Sequence, residues 1–226
     1  MEARVTTIWL PPSRLEEAVR FVREEVAPAL APQPGCAGIW LFADRAAGRL
    51  LSVGLWQTRA ALTATDFLYQ ELREKVGQLY GGPPVAEQYV ARPPEQGLYA
   101  VRAAPARPEA AASARVARVT TLRGAPDRVA GLVGQLEAQI APVLERLRGY
   151  LGLYLLVEGE SGTARAVGLW ASAEALGASD AAVAPLRRQA AEALGASDAP
   201  AVAVYEVAAW VAPGDPAGVG RDTQGG

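Results

Sequence analysis

An interval of 114 residues constrains this chain more than any other feature. Arg4-Val5-Thr6-Thr7 returns as Arg118-Val119-Thr120-Thr121, and Val53-Gly54-Leu55-Trp56 returns as Val167-Gly168-Leu169-Trp170, both after that interval. At the same spacing Ala27-Pro28 meets Ala141-Pro142, Gly35 meets Gly149, Gly38 meets Gly152, Asp66 meets Asp180, and Leu72-Arg73 meets Leu186-Arg187. From Arg4 to Gly82 about 25 of about 79 aligned pairs are identical without a gap, where chance leaves a handful. Two copies are too few for a solenoid, so the expected architecture is a duplicated domain whose halves pair face to face.

Each copy reads as strand, helix, strand, strand, helix, strand. The first strand, Arg4 to Leu10, is rich in β-branched residues and stops at Pro11-Pro12. Ser13 with Glu16 reads as a capping box opening a helix whose stripe is Leu15, Val19, Val22, Val26 and Leu30. The second copy repeats the stripe with Val129, Leu132, Val133, Leu136, Ile140, Val143 and Leu147, and Pro28 and Pro142 are expected to kink or end these helices. A hairpin follows, from about Cys36 to Ala43 and from Arg49 to Trp56. Both strands are apolar on both sides, so the sheet is expected to be covered on both faces, by helices on one and by the sheet of the other copy on the other. A second helix over Asp66 to Tyr80, matched by Asp180 to Leu194, and a closing strand over Val85 to Ala91, matched by Ala201 to Trp210, complete each unit.

The fold class predicted is therefore α+β: two tandem ferredoxin-like (βαββαβ) domains pairing their antiparallel sheets into a dimeric-α/β-barrel-like pseudodimer. The boundaries expected are 1–92 for the first domain, 93–114 for a Pro/Ala-rich linker in which Leu98 to Arg102 can form an edge strand, 115–211 for the second domain, and 212–226 for a disordered tail.

Composition removes whole classes of chemistry. The chain has no histidine, Cys36 is its only cysteine and Lys75 its only lysine. Zinc fingers, haem held through imidazole, a Ser-His-Asp triad and an internal disulfide are all excluded. No metal site and no cofactor is expected. A formal charge of −2 gives no field that favours nucleic acid or anionic lipid, and no apolar run approaches a membrane span. The expectation is a cytoplasmic bacterial protein, a monomeric pseudodimer with a further homodimer left open, whose partner is a small apolar or aromatic molecule.

Two runs carry a family resemblance: Pro34-Gly35-Cys36-Ala37-Gly38 before the second strand, and Leu55-Trp56-Gln57-Thr58-Arg59-Ala60-Ala61-Leu62 after the third. They resemble the antibiotic biosynthesis monooxygenase-like family of dimeric α/β barrels, over about Arg4 to Ala91 and more weakly over Ala114 to Trp210. The resemblance implies the barrel fold, with the usual homodimer fused into one chain. It also implies an alternative function, cofactor-independent oxidation of an aromatic polyketide or quinol-type substrate. Many members carry a histidine nine residues after the third-strand tryptophan, and haem-degrading members a tryptophan. Here those positions hold Thr65 and Ser179, which argues against haem degradation and against an imidazole base.

The candidate ligand-binding residues are Trp40, Gly54, Trp56, Thr65, Tyr69, Trp170 and Ser179, and the catalytic candidates are Thr65 and Asp66. Ser52, Gly54 and Trp56 share a strand face, and Gly38, Trp40 and Phe42 repeat the arrangement. Small residues beside large rings leave an aromatic-walled groove for a flat ligand, or simply admit a neighbouring ring into a packed core. Thr65-Asp66 and Ser179-Asp180 stand where a pocket mouth or a helix cap would be. Arg4 and Arg118 can grip an acidic group or lie solvated at a strand end. Because Trp9, Trp40, Phe42, Phe67 and Tyr69 face Arg123, Tyr154, Leu156, Ala181 and Val183, a pocket mainly in the N-terminal half is expected, with the C-terminal half as scaffold. The leading function is small-molecule binding or weak catalysis, and the third alternative is a non-catalytic structural or partner-binding barrel.

Overall fold

The computed structural model describes residues 1–80, 95–103, 112–158 and 160–214. It is α+β and divides into two compact units, Met1–Leu98 with Ala208–Gly226, and Tyr99–Val207. The expected closing strand at Val85 to Ala91 and most of the expected tail lie outside the described residues.

In the first unit β1 (Glu2–Trp9) pairs antiparallel with β3 (Arg49–Trp56), which pairs with β2 (Cys36–Asp44). The helical layer on one face begins with α1 (Leu15–Phe21), a π turn (Val22–Val26) and α2 (Ala27–Leu30). It ends with α3 (Arg59–Thr63) and α4 (Asp66–Tyr80). Pro28 has no N–H to give its preceding turn and its ring crowds the carbonyl there, and the wide π turn just before it relieves that clash. The helix therefore continues past the proline instead of ending. The capping box does not form: Pro12 starts a 3-10 turn through Arg14 that takes in Ser13, no side chain caps the helix, and Glu16 pairs with Arg45.

The core of this unit sets Leu15, Val19, Val22, Val26, Leu30, Leu62 and Leu72 from the helices against Ile39, Leu41, Leu50 and Trp56 from the sheet. Trp40 and Phe42 are buried on the other face of β2, so both faces of this strand are covered.

In the second unit the strand order is β4-β6-β7-β5-β8, where β4 is Glu95–Ala103, β5 Val116–Arg123, β6 Tyr150–Glu158, β7 Thr163–Trp170 and β8 Ala201–Val211. The segment between the copies thus holds a strand, longer than the one expected at Leu98 to Arg102, and β8 gives its last residues to the first unit. Helices α5 (Val129–Gln135), a π turn (Leu136–Ile140), α6 (Ala141–Leu144), α7 (Ala173–Ala178) and α8 (Asp180–Leu194) form the helical layer. Each matches its counterpart 114 residues earlier, π turn included. Among the described residues no helix is long and apolar enough to cross a membrane.

Candidate functional site

A β-bulge decides which aromatic residues share a face. Cys36 pairs with Trp56, but after the bulge Gly38 pairs with Leu55 and Trp40 with Val53. The shift of one residue turns Trp40 and Phe42 away from Gly54 and Trp56, because side chains alternate strictly along a strand. Gly38 makes the bulge with φ +121°, a conformation that side chains disfavour. Trp40 stacks on Phe42 at 5.7 Å and lies 4.5 Å from the Trp210 ring, and a Cβ on Gly38 would meet that ring at 2.1 Å. On this face the glycine admits a neighbouring ring into a packed core.

On the helical face the structure gathers Gly54, Trp56, Thr65, Asp66 and Tyr69 around a residue that sequence reasoning weighed as a solvated strand end. Arg4 is 2% exposed. It sits opposite Gly54 in the β1–β3 register, with the bulk of the sheet beneath it and α3 and α4 above. Its guanidinium donates to the Leu62 carbonyl at the end of α3 and pairs with Asp66 at the start of α4. Among the described residues its Nε and Nη1 find no hydrogen-bond partner. The Tyr69 ring lies over it, 4.3 Å from the guanidinium carbon, and the Tyr69 hydroxyl is 2.5 Å from Thr6 Oγ1.

The same construction surrounds Arg118, also buried at 5% exposure. Its Nη2 donates to the Leu176 carbonyl at 3.0 Å and to Asp180 Oδ1 at 2.5 Å, and its Nη1 to Ser179 Oγ at 3.0 Å. Burial pulls this guanidinium below its ordinary value, Asp180 pushes it back up, and Arg187 pushes it down. The two hydroxyls expected as helix caps do another job. Thr65 and Ser179 donate to the Leu62 and Leu176 carbonyls at 2.7 and 2.6 Å. The caps are Thr58 and Ser172, which accept from the Ala61 and Ala175 N–H groups and so fix α3 and α7, the helices whose carbonyls hold the arginines.

One substitution decides what occupies the place over each arginine. The counterpart of Tyr69 is Val183, and in the second unit an apolar cavity of about 70 Å³ lies where the tyrosine would be. Leu136, Ile140 and Leu144 from the helical layer line it on one side, Leu153, Gly168 and Trp170 on the sheet side, with Arg118, Thr120 and Arg187 as its polar groups. Trp170 and Tyr150 form an aromatic wall, ring centroids 5.4 Å apart and edge to face. Burial, helped by Glu145, pushes the Tyr150 phenol well above its ordinary value, so it stays a neutral donor. In the first unit the corresponding place, over Arg4 and against Thr6, is filled by Tyr69. Of the aromatic residues counted there, Tyr69 fills this space, Trp40 and Phe42 pack on the far face, and Phe67 is exposed. That unit does carry an open, more polar cleft, lined by Gln33, Pro34, Gly35, Gln57, Thr58, Ala61, Ala64 and Thr65.

Of the seven ligand-binding candidates, Gly54, Trp56, Thr65 and Tyr69 thus come together around Arg4, Trp170 and Ser179 come together around Arg118, and Trp40 stands on the far face. Arg4 and Arg118 were weighed as grips for an acidic group but not chosen as candidates, and Arg187 was not considered. A signal for the arginines was present, since Arg4 and Asp66 recur together as Arg118 and Asp180.

No family model matches the chain. It is 28% identical over 162 residues to the uncharacterized protein Rv2557 of Mycobacterium tuberculosis, a match spanning 72% of this chain and 67% of that protein. Among solved structures it resembles an anthrone oxidase-like protein, TM-score 0.68 at 12% identity over 95% of this chain and 94% of the other. A monooxygenase-like protein from Listeria innocua gives 0.52 at 9% identity over 92% and 94%. A major regulator of staphylococcal pathogenesis also gives 0.52, at 10% identity over 92% and 98%. The chain has the fold of the monooxygenase-like α+β proteins that its Pro34-Gly35-Cys36 and Trp56 motifs resemble.

Proposed function

We propose that this protein belongs with the antibiotic biosynthesis monooxygenase-like proteins and binds a small, mostly apolar, aromatic molecule in the cavity of its C-terminal unit. The observation that carries this reading is Val183 in the place of Tyr69, over an arginine held by the equivalent leucine carbonyl and aspartate. A buried cation, an aromatic wall and a few aliphatic side chains around an unfilled space are what a ring-bearing ligand needs. Size limits the ligand. A cavity of about 150 Å³ accommodates benzene in an engineered protein, and this one is about half that. Even a single ring therefore has to displace half-buried Leu153 and Leu186 beside Tyr150, and a tricyclic body requires α8 to move as well.

The monooxygenase reading is favoured by the likeness to the anthrone oxidase-like protein. Against it, the cavity is lined by neither a carboxylate nor an imidazole, and Asp180 Oδ1 is engaged by Arg118 and Arg187. A base for activating a quinol is thus not at hand. The staphylococcal regulator is a reminder that one fold serves several ends.

Titration with single-ring aromatics, read by tryptophan fluorescence and ligand-observed NMR alongside an oxygen electrode, separates these readings. Saturable binding without oxygen uptake is the expected result. Oxygen uptake with a quinol or anthrone establishes the enzyme, and absence of binding by every aromatic probe overturns the pocket.

A further inference from the structure

Two arginines line the cavity and no carboxylate does. Both reach the same neighbouring oxygen, Asp180 Oδ1, Arg118 at 2.5 Å and Arg187 Nη1 at 3.8 Å. Two guanidinium groups sharing one carboxylate leave a net positive charge at the cavity wall. The shares are unequal. Arg118 holds three hydrogen bonds, to Ser179, Leu176 and Asp180. Arg187 Nη1 is buried and makes none among the described residues, since 3.8 Å is an ionic contact beyond hydrogen-bond range. A buried donor without an acceptor is costly, and although the cavity surface itself is almost wholly apolar, a turn of the half-buried Arg187 side chain that presents Nη1 to an anionic acceptor recovers that cost.

The first unit indicates how the rest of the ligand lies. There the Tyr69 side chain is itself the occupant, ring over Arg4 and oxygen against Thr6. The corresponding place in the second unit lies over Arg118 and beside Thr120. Because the two guanidinium groups are one carboxylate apart, a ring seated over Arg118 brings a substituent on its edge to Arg187.

We propose that the C-terminal cavity selects single-ring aromatic acids, with the ring over Arg118 and the carboxylate accepting from Arg187 Nη1. This deepens the binding reading above and rests on it. The test compares benzoate with benzamide, which match in shape and differ in charge, against the full chain at neutral pH by ligand-observed NMR. Benzoate is expected to bind about tenfold more tightly or better, the scale of one charge-assisted hydrogen bond in a dry site. Arg187→Gln is expected to bring the two ligands within about twofold, while exposed Arg188→Gln retains the preference. Equal affinity of the two ligands for the native protein, or a preference that survives Arg187→Gln, overturns the selectivity and leaves the pocket standing. Failure of both ligands and of neutral aromatics such as toluene overturns the pocket as well.

Discussion

If Val183 is what keeps the C-terminal cavity open, Val183→Tyr should close it in the manner already seen in the other unit. The new ring would lie over Arg118 and its hydroxyl would reach Thr120, as Tyr69 does over Arg4 and against Thr6. Filling a cavity of about 70 Å³ at ~24 cal/mol per Å³ gives an upper limit of about 1.7 kcal/mol of added stability. A cation–π contact adds about 0.5–1 kcal/mol, and crowding of Leu186 or Ile140 subtracts up to a similar amount. The net expectation is a variant between unchanged and about 2 kcal/mol more stable, hence a thermal midpoint raised by a few degrees in a chain of this size. Aromatic binding should be abolished. Thermal unfolding followed by circular dichroism and a binding titration on the same sample check both halves. A variant that folds and still binds, or one destabilised by more than about 2 kcal/mol, refutes the correspondence between the units.

The reciprocal substitution, Tyr69→Val, should destabilise by about 1–3 kcal/mol through loss of the ring, the Thr6 hydrogen bond and the arginine contact, and should raise the ligand stoichiometry from one to two in calorimetry. Gly38→Ala should cost more than about 2 kcal/mol in denaturant unfolding, because its Cβ would lie 2.1 Å from the Trp210 ring at φ +121°. Cys36 is buried and its thiol is pushed up by that burial, against a smaller lowering from the Gly38 backbone hydrogen bond, so it should resist a thiol-disulfide reagent until the chain is unfolded. Burial also holds the Tyr150 and Tyr99 phenols above the ordinary tyrosine value. The folded chain then keeps protons that the unfolded chain has lost, so stability should be full below about pH 10 and fall as pH rises beyond it. Phenolate absorbance should show a late phase that coincides with loss of circular dichroism.

Much of the fold was legible because its signals are local and doubled. The helical stripe Leu15, Val19, Val22, Val26 and Leu30, the hairpin around Gly48 and the two-sided apolar strands each point to one element, and each points to it again 114 residues on. What escaped depends on events one residue wide. The bulge at Cys36 and Gly38 leaves the alternation of side chains intact on either side and shifts its phase, so Trp40 is read onto the face of Trp56 unless the bulge is known. The Pro-Gly-Cys-Ala-Gly run held that information, since a glycine two residues into a strand marks a bulge. The capping box failed for a similar reason, Pro12 having advanced the first turn by enough to take in Ser13. Arg4 was set aside because a charge at a strand end is ordinarily solvated, and its burial depends on Leu62 and Asp66, about sixty residues away.

Which unit leaves the place over its buried arginine unfilled was not legible from aromatic content, because a ring at a given position can line a space or occupy it. The difference lies in how each buried arginine is satisfied. Among the described residues Arg4 Nε and Nη1 have no hydrogen-bond partner, and the guanidinium rests under the Tyr69 ring, whose face accepts the cation. Arg118 has lost that ring and turns its Nη1 to Ser179 instead, a bond that Thr65 does not make to Arg4, while Trp170 stands 5.9 Å from its guanidinium carbon. Removing an aromatic cover from a desolvated cation would be costly alone, and the hydroxyl at position 179 offsets part of that cost. Ser179 is thus the companion of Val183: one residue empties the space and the other steadies the charge that borders it. Because both units lie in a single chain, position 183 can open without position 69 opening. A symmetric pair of identical chains cannot make that separation.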